Sequence, residues 1–454
     1  MEKPSLPKGT RDFGPAQMAK RQFILGNISK VFQKYGFQPL ETPAFENLST
    51  LTGKYGDEGD QMLFKILNSG DFLKNIDATG LKAQNTKLVS SRIADKGLRY
   101  DLTVPFARYV VMNRHEITFP FRRYQIQPVW RADRPQKGRY REFYQCDADV
   151  VGTDSLICEA EIIRMINESF ETMGIADYTI KINHRAILSA LAELTGDGKN
   201  EAALFVSIDK LDKIGAEKVK EELRAKGFTE RKLALIFEIL GFRGSLSQKM
   251  EFLTTQFPGS VKGQKGVHEL KEILSLLHGL GGNEHHLEMD IALARGLSYY
   301  TGCIFEVKIN NASVGSVSGG GRYDNLTGVF GMPGVSGVGF SFGVDRLYDA
   351  MEERQLFPHE TQVSSHILVA HTDGESMRYG LRIVNTLRQK GIVAEIYPDP
   401  SKLKKQFEYA DKKKIPHVIV IGSEEMSSGL LTLKNMGTGE QQKLTLEQIL
   451  NHDV

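Results

Sequence analysis

The chain has 454 residues, of which 41% are hydrophobic and 25% are charged, and its net charge at pH 7 is +2. This length exceeds what one hydrophobic core supports, so two or three domains are expected, with the composition of an ordinary soluble protein. Because the charge is nearly balanced, any surface for nucleic acid must be local. Since the chain shows neither a signal-like apolar run at its start nor a long apolar stretch later, we expect neither export nor a membrane span.

The three cysteines, Cys146, Cys158 and Cys303, have no paired spacing. A zinc site and a disulfide framework are therefore not expected. A reducing cytoplasm is the compartment that fits this pattern.

The first predicted element is a helix over 16–35, in which apolar side chains recur with a helical period until Gly36 ends the pattern. A strand over 37–45 follows, and its prolines restrict it to a sheet edge or an interface. This helix and strand together suit a dimer surface. The edge of a monomer explains them equally well.

Two short strands, over 63–67 and 98–102, are predicted next, with a polar loop between them. At the end of the second strand, Asp101 and Thr103 fall on one face. Their carboxylate and hydroxyl suit an ammonium group. A cap on a following helix is the alternative explanation.

The segment 121–152 is rich in arginine and aromatic residues, and a turn with proline and glycine at 134–139 divides it. It predicts a β-hairpin that carries Arg131 at the end of its first strand. Alternate residues of the returning strand share one face. These are Phe143, Gln145, Asp147 and Asp149. The hairpin would place these side chains and Arg131 around one cavity, with a cationic loop at its tip. The arginines of this segment suit a site for a polyanion, whereas a solvated edge is the plain alternative.

A helix over 155–173 and a strand over 178–182 come next. From 185 to about 281 helical periods recur without strand signals, which predicts a helical insertion. Strand patterns return over 287–293 and 304–309.

The turn 294–302 contains Arg295, Tyr299 and Tyr300 among glycines. Adjacent side chains on an extended chain point to opposite sides, so at most one tyrosine is expected to face a given ligand unless the turn twists. Core packing is the common alternative for such tyrosines.

The segment 315–343 contains ten glycines in twenty-nine residues. Their spacing matches neither GxGxxG nor GxxxxGK(S/T), which excludes a Rossmann or P-loop nucleotide site. Glycines at this density indicate strands over which a ligand lies close to the backbone. Arg346, in the first turn of the next helix, opposes the helix dipole. A bound anion would explain it, and so would a pair with Asp345 or Glu352.

Beyond a linker at 356–365, strands alternate with helices, which predicts a small α/β domain with a largely parallel sheet. The predicted strands cover 367–370, 393–396, 418–421 and 430–433, and the helices about 377–389 and 403–412.

Five segments, in order and spacing over nearly the whole chain, resemble the histidyl-tRNA synthetases, a family of class II aminoacyl-tRNA synthetases. The segments are Lys8–Asp12, Tyr100–Thr103, Arg131 with Arg134–Phe143, Ala294–Tyr300 and Gly343–Leu347. The resemblance implies an α+β fold, in which a class II catalytic domain with an antiparallel sheet and a helical insertion is joined to a C-terminal α/β anticodon-binding domain. With the divisions above, the catalytic domain covers 1–184 and 282–355, the insertion 185–281 and the anticodon-binding domain 366–454.

The resemblance also implies a homodimer that activates histidine with ATP and transfers it to tRNA(His), with Mg²⁺ bound to the phosphates of ATP and no metal site made by a cluster of side chains. Arg131 and Arg295 would be the catalytic arginines on either side of the α-phosphate. Residues implied for histidine are Asp101, Thr103, Gln145, Asp149, Tyr299 and Tyr300. Residues implied for ATP are Arg131, Asp133, Arg141, Phe143 and Arg346, and those for tRNA are Gln136, Lys137 and Arg139.

Two rival functions are weighed against this one. The first is a synthetase-like, histidine-binding regulatory subunit without aminoacylation. Such subunits generally lack the anticodon domain and alter the second catalytic arginine, whereas this chain has Arg295 and about ninety residues beyond the linker. The second is a nucleic-acid-binding or kinase-regulatory module on the synthetase fold, which would need no ATP site. The joint presence of four residues argues against it, namely Arg131, Phe143, Arg295 and Arg346.

Overall fold

The computed structural model of the chain describes residues 3–74, 76, 82, 86–196, 200–294, 299–358 and 365–451. The chain forms two compact units. The first comprises Met1–Arg11 and Ile24–Leu356, and the second comprises Asp12–Phe23 and Phe357–Val454.

The first unit contains both strands and helices. The strands are β1 (Gln38–Pro39), β2 (Phe45–Asn47), β3 (Lys65–Ile66), β4 (Lys96–Leu98), β5 (Phe121–Trp130), β6 (Glu142–Val151), β7 (Tyr178–His184), β8 (Leu287–Met289), β9 (Cys303–Ile309), β10 (Ser318–Tyr323) and β11 (Gly337–Gly343). The helices are α1 (Pro15–Lys34), α2 (Leu48–Leu51), α3 (Gly56–Gln61), α4 (Thr86–Ile93), α5 (Thr103–Met112), α6 (Ile157–Thr172), α7 (Arg185–Leu194), α8 (Glu201–Ile208), α9 (Leu211–Ile214), α10 (Ala216–Ala225), α11 (Glu230–Gly241), α12 (Leu246–Gln256), α13 (Val261–Gly279) and α14 (Val344–Glu353).

Among the described residues, eight strands form one sheet in the order β1-β5-β6-β11-β10-β9-β7-β8. The six inner strands pair antiparallel, and each edge strand, β1 or β8, pairs parallel with its neighbour. Strands β2, β4 and β3 form a small separate sheet. The antiparallel hairpin of β5 and β6 confirms the prediction over 121–152.

The predicted strand over 37–45 is wrong in its length. It pairs with the large sheet only at Gln38–Pro39, and Phe45 begins a strand of the small sheet. Proline cannot donate a hydrogen bond to a ladder, so Pro39 and Pro43 prevent a continuous strand.

The predicted strand over 98–102 is also wrong, because pairing stops at Leu98 and α5 begins at Thr103. The Asp101 carboxylate accepts a hydrogen bond from the backbone N–H of Val104 at 3.2 Å. It therefore caps the first turn of the helix, which is the alternative that the sequence left open.

The core of this unit lies between the sheet and its helices. Phe32 of α1 packs against Phe340 and Phe342 of β11, with ring centroids 5.7 Å and 6.3 Å apart. Helix α6 is tied to β10 by a buried ion pair in which Arg322 Nη2 lies 2.7 Å from Glu159 Oε2. Between β7 and β8, the described residues contain helices α7 to α13 and no strand.

The second unit is an α/β fold. Its strands are β12 (Ile367–His371), β13 (Ala394–Ile396), β14 (His417–Ile421), β15 (Leu431–Asn435) and β16 (Gln441–Leu444). Its later helices are α15 (Gly374–Gln389), α16 (Leu403–Lys412), α17 (Ser423–Ser428) and α18 (Leu446–Leu450). The described sheet has the order β13-β12-β14-β15-β16. Strands β13, β12 and β14 run parallel, as predicted, but β14, β15 and β16 form an antiparallel meander that the sequence pattern did not indicate.

In the described part of the chain, we find no helix with both the length and the apolar character needed to cross a membrane.

Candidate active site

A cavity of about 230 Å³ lies in the first unit, over the β5–β6 hairpin and strands β10 and β11. Its lining combines buried carboxylates, tyrosines, arginines and glycine backbone. The predicted site residues that line it are Asp101, Thr103, Arg131, Asp133, Arg139, Phe143, Gln145, Asp149, Tyr299, Tyr300 and Arg346.

One part of the cavity wall is an acidic group made of Asp101, Asp147 and Asp149. Each of these residues is at most 3% exposed. Burial raises the pKa of all three carboxyls, and that of Asp147 rises to about 7. The side chain of Arg123, which is fully buried, offsets part of this charge, with its Nη2 atom 2.8 Å from Asp149 Oδ2.

Several acceptors of this wall receive no hydrogen bond from the protein. They are Oδ2 of Asp101, Oδ1 of Asp147 and Oε1 of Gln145. Gln145 is oriented by donating through Nε2 to Ser341 Oγ at 2.7 Å. The Thr103 hydroxyl lies 3.5 Å from Asp147 Oδ2. Buried acceptors without donors are costly, so this wall is suited to a ligand that brings its own N–H groups.

Tyr299 and Tyr300 both line the cavity, with ring centroids 4.7 Å apart and planes inclined by 55°. Both tyrosines thus border one cavity, and which of them faces a ligand stays a prediction. Burial raises the pKa of Tyr299 well above its ordinary value, so its hydroxyl keeps its proton.

Two further tyrosines hold the acidic group in place. Tyr323 donates to Asp149 Oδ1 at 2.7 Å and Tyr55 donates to Asp101 Oδ1 at 3.0 Å. Both phenols have a pKa raised by burial, so they remain donors.

Arginines occupy another part of the wall, and we call Arg131, Arg139 and Arg346 the arginine group. The Arg131 guanidinium donates to the carbonyl of Tyr100 at 3.1 Å, and its Cζ lies 4.2 Å from the Tyr100 ring centroid and 5.1 Å from that of Phe143. Arg346 donates to the carbonyls of Gly138 and Ser316, both at 2.7 Å. All three side chains are only partly buried, unlike the acidic group.

The remaining predicted residues of the hairpin loop do not line the cavity. Lys137 Nζ lies 2.9 Å from Glu353 Oε2 and donates to Ser313 Oγ at 2.8 Å. The Arg141 side chain donates to the carbonyls of Asp133 at 3.2 Å and Lys8 at 3.4 Å. Gln136 is exposed at the loop tip. Arg295 lies outside the described residues.

Glycine is required where β11 passes beneath the acidic group. A Cβ at Gly339 would collide with Asp149 Oδ1, and one at Gly320 would collide with the carbonyl oxygen of Gly339. The glycine-rich strands thus let a carboxylate lie directly on the sheet, a role that differs from the close approach of a ligand that the sequence predicted.

Sequence reasoning gave no role to Arg123, Tyr55 or Tyr323, and it placed Asp147 on the site face of the hairpin without a role of its own. The hairpin register contains a signal for the first of these, because Arg123 stands directly opposite Asp149 in the β5–β6 ladder. Asp147 shares a strand face with Gln145 and Asp149, so the alternation that identified those two also points to it. No local pattern points to the tyrosines.

Comparison with known proteins explains this arrangement. A family model described as histidyl-tRNA synthetase matches residues 67–347, and one described as anticodon binding domain matches 364–452. The chain is 58% identical over 451 residues to the histidine–tRNA ligase of Cytophaga hutchinsonii, with 99% of each chain covered. The chain belongs to the histidyl-tRNA synthetase family.

Two further members of the histidyl-tRNA synthetase family agree with this assignment. The histidine–tRNA ligase of Phocaeicola vulgatus is 53% identical over 448 residues, covering 99% of this chain and 98% of that one. The crystal structure of histidyl-tRNA synthetase from Nostoc sp. PCC 7120 superposes with a TM-score of 0.84 at 30% identity, covering 99% and 100%. The predicted family and fold class, a class II catalytic domain with an anticodon-binding domain, are confirmed.

Proposed function

We propose that this chain activates histidine with ATP to give histidyl-adenylate and pyrophosphate, and then transfers the histidyl group to tRNA(His). Family membership over the full chain supports this function. The observation that carries it for the site is the division of one cavity between a buried acidic group and a partly exposed arginine group. An amino acid and a nucleotide need these opposite charges side by side.

Histidine would bind with its α-ammonium at the acidic end. The unpaired acceptors of Asp101 and Gln145, with Thr103 and Asp149 beside them, would receive its N–H groups. Tyr299 and Tyr300 would border the imidazole, where their hydroxyls can read a ring nitrogen. Burial strengthens such discrimination because a wrong side chain leaves these polar groups unpaired.

ATP would bind along Arg131 and Arg346 of the arginine group. Phe143 would stack on adenine, Arg346 would meet the γ-phosphate, and Arg131 would bridge the α-phosphate and the histidine carboxylate. Asp133 and Arg141 would help to position the nucleotide. Each contact places a fixed cation where negative charge accumulates, so the barrier between two anionic reactants falls.

In the first step a carboxylate oxygen of histidine attacks the α-phosphorus of ATP, and the bond to the bridging oxygen breaks to release pyrophosphate. Arg131 would align the two groups, and Arg295, a role that rests on sequence alone, would neutralise the phosphate from the other side. Mg²⁺ would enter with the triphosphate and screen the leaving pyrophosphate. Its ligands would be largely phosphate oxygens, as is usual for Mg²⁺ bound with a nucleotide.

The second unit and the hairpin loop would bind tRNA. A match to an anticodon-binding model over 364–452 supports the first assignment. Gln136, Lys137 and Arg139 would reach the acceptor end, which requires Lys137 to leave its exposed pair with Glu353. We also propose a homodimer, with α1 and the exposed strand β1 at its interface, that works in the cytoplasm.

Histidine-dependent exchange of labelled pyrophosphate into ATP, followed by charging of tRNA(His), tests the proposal. The wild-type chain is expected to do both, and an Arg131→Ala variant is expected to lose exchange while it still binds histidine. A wild-type chain that binds histidine without exchanging pyrophosphate would instead be the regulatory subunit considered as the alternative.

A further inference from the structure

We infer that Arg11 is a positioning residue for ATP, which acts by fixing the hairpin loop and neutralising a carboxylate beside Arg346. This inference rests on the proposed function, since it assigns a role within the same site. Arg11 belongs to the N-terminal segment 7–11, which we call the strap, and does not line the cavity.

The strap lies against the hairpin loop. The backbone N–H of Arg141 donates to the carbonyl of Gly9 at 2.9 Å. Gly9 has a φ of +88°, and a Cβ there would lie 2.8 Å from Arg141 Cγ and 2.9 Å from Pro135 Cγ. Only glycine suits such a close approach with this backbone conformation. These contacts therefore fix the position of the strap against the loop.

Arg11 continues this contact to the helix that carries Arg346. Its guanidinium carbon lies 3.3 Å from the ring centroid of Tyr140, and the same guanidinium pairs with Asp345 and lies 3.7 Å from Asp349 Oδ1. The Tyr140 hydroxyl donates to Asp349 Oδ2 at 2.7 Å. Arg11 thus joins the loop and α14 through stacking and charge together.

The contacts of Arg11 with the loop and α14 matter for the nucleotide because of the position of Asp345. It lines the cavity, is 2% exposed and precedes Arg346 in the sequence. Its other oxygen accepts the backbone N–H of Tyr144 at 2.9 Å. Without Arg11, a buried carboxylate would lose a cationic partner next to the arginine proposed for the γ-phosphate. It would then repel the phosphates or draw Arg346 away from them.

The experiment compares Arg11→Ala, Arg11→Lys and the matched control Lys8→Ala, which removes a positive charge from an exposed side chain of the same strap. Histidine-dependent pyrophosphate exchange is measured while ATP and histidine are varied separately. We expect Arg11→Ala to raise KM for ATP at least ~10-fold and KM for histidine less than ~3-fold. Arg11→Lys should fall between wild type and Arg11→Ala, because lysine restores the charge without the planar stack. Lys8→Ala should resemble wild type.

A general loss of folding would lower the amount of active enzyme, hence kcat, rather than shift one KM. Unfolding followed by the fluorescence of Trp130, the single tryptophan, checks the first unit directly. If Arg11→Ala does not fold, Tyr140→Phe and Asp349→Asn remove separate contacts of the same junction and should each raise KM for ATP. Equal KM values for ATP in the Arg11 and Lys8 variants, or parallel changes in both substrates, would overturn the inference. Absence of exchange in the wild type would instead remove the proposed function.

Discussion

Arg123 and Asp149 face each other across the β5–β6 ladder, with guanidinium and carboxylate 2.8 Å apart and both side chains shielded from water. The same carboxylate accepts the hydroxyl of Tyr323. The pair is therefore buried in the interior, and Asp149 also lines the cavity. Its loss should affect stability before any substrate is present.

Arg123→Met should lower the free energy of unfolding of the first unit by ~3 kcal/mol, because it leaves two neighbouring buried carboxylates without their cation. Its matched control is Arg122→Met. Arg122 is adjacent on the same strand but partly exposed, and its Nη1 atom lies 2.7 Å from Glu161 Oε2. That pair is only partly buried, unlike Arg123 and Asp149, so its removal should cost less, about 1 kcal/mol. Urea unfolding followed by Trp130 fluorescence measures both, and equal losses would contradict a special role for the buried pair.

The raised pKa of Asp147 predicts that the stability of the first unit depends on pH in a definite direction. Burial raises its pKa from an ordinary 3.8 to about 7, with Asp149 and Asp101 adding to the rise and Arg123 opposing it. Between these two values the folded chain holds a proton that the unfolded chain has released. This group therefore makes stability fall as pH rises from about 4 to about 7.

Asp147→Asn removes this dependence. Relative to wild type, its thermal midpoint should rise by at least ~2 °C on going from pH 5 to pH 8. Thermal unfolding at both pH values, recorded through Trp130, gives the difference. A gap between the two proteins that stays constant with pH would show that the protonation of Asp147 does not change between pH 5 and pH 8.

Gly339→Ala tests the geometry of the acidic group. The new methyl would collide with Asp149 Oδ1, so the carboxylate must move away from its position over the sheet. A displacement of this kind should reduce kcat/KM for histidine in pyrophosphate exchange by ~100-fold. Gly241→Ala is the control, because a Cβ at Gly241 of α11 meets nothing within 4 Å. Normal kcat/KM in Gly339→Ala would mean that Asp149 does not need its observed position.

Local patterns were sufficient for much of this fold. The hairpin over 121–152 follows from alternation on both sides of a turn with proline and glycine, and these signals depend on neighbours in sequence alone. The common cavity wall of Phe143, Gln145 and Asp149 follows from the same alternation. Family resemblance, rather than periodicity, supplied the antiparallel order of the large sheet.

Other features depend on contacts that no local pattern encodes. Asp101 was predicted on a strand because its neighbours are apolar, but capping of Val104 favours a helix start. Tyr299 and Tyr300 share one cavity, which alternation along an extended chain does not predict. The contact between Arg11 and Tyr140 joins segments far apart in sequence. Only the folded chain brings such groups together.

Arg295 remains a prediction from sequence, and its substitution separates binding from chemistry. The chain on one side of it reaches buried Ala294, and on the other side Tyr299 lines the cavity. A guanidinium that neutralises the α-phosphate acts mainly in the transition state. Arg295→Ala should therefore slow exchange by ~100-fold or more, corresponding to ~3 kcal/mol, while the Kd of histidine changes less than ~3-fold.

Arg354→Ala is a suitable control for this experiment, since Arg354 follows α14 and its Nη2 atom lies 3.8 Å from Asp177 Oδ2 at the surface. Its exchange rate should stay within ~2-fold of wild type, as expected for a surface pair. Calorimetric titration of histidine and exchange kinetics on the three proteins give the two quantities. Near-normal exchange by Arg295→Ala would remove the second arginine from the mechanism and leave Arg131 alone to neutralise the α-phosphate. A large loss of histidine affinity would instead place Arg295 among the groups that bind the amino acid.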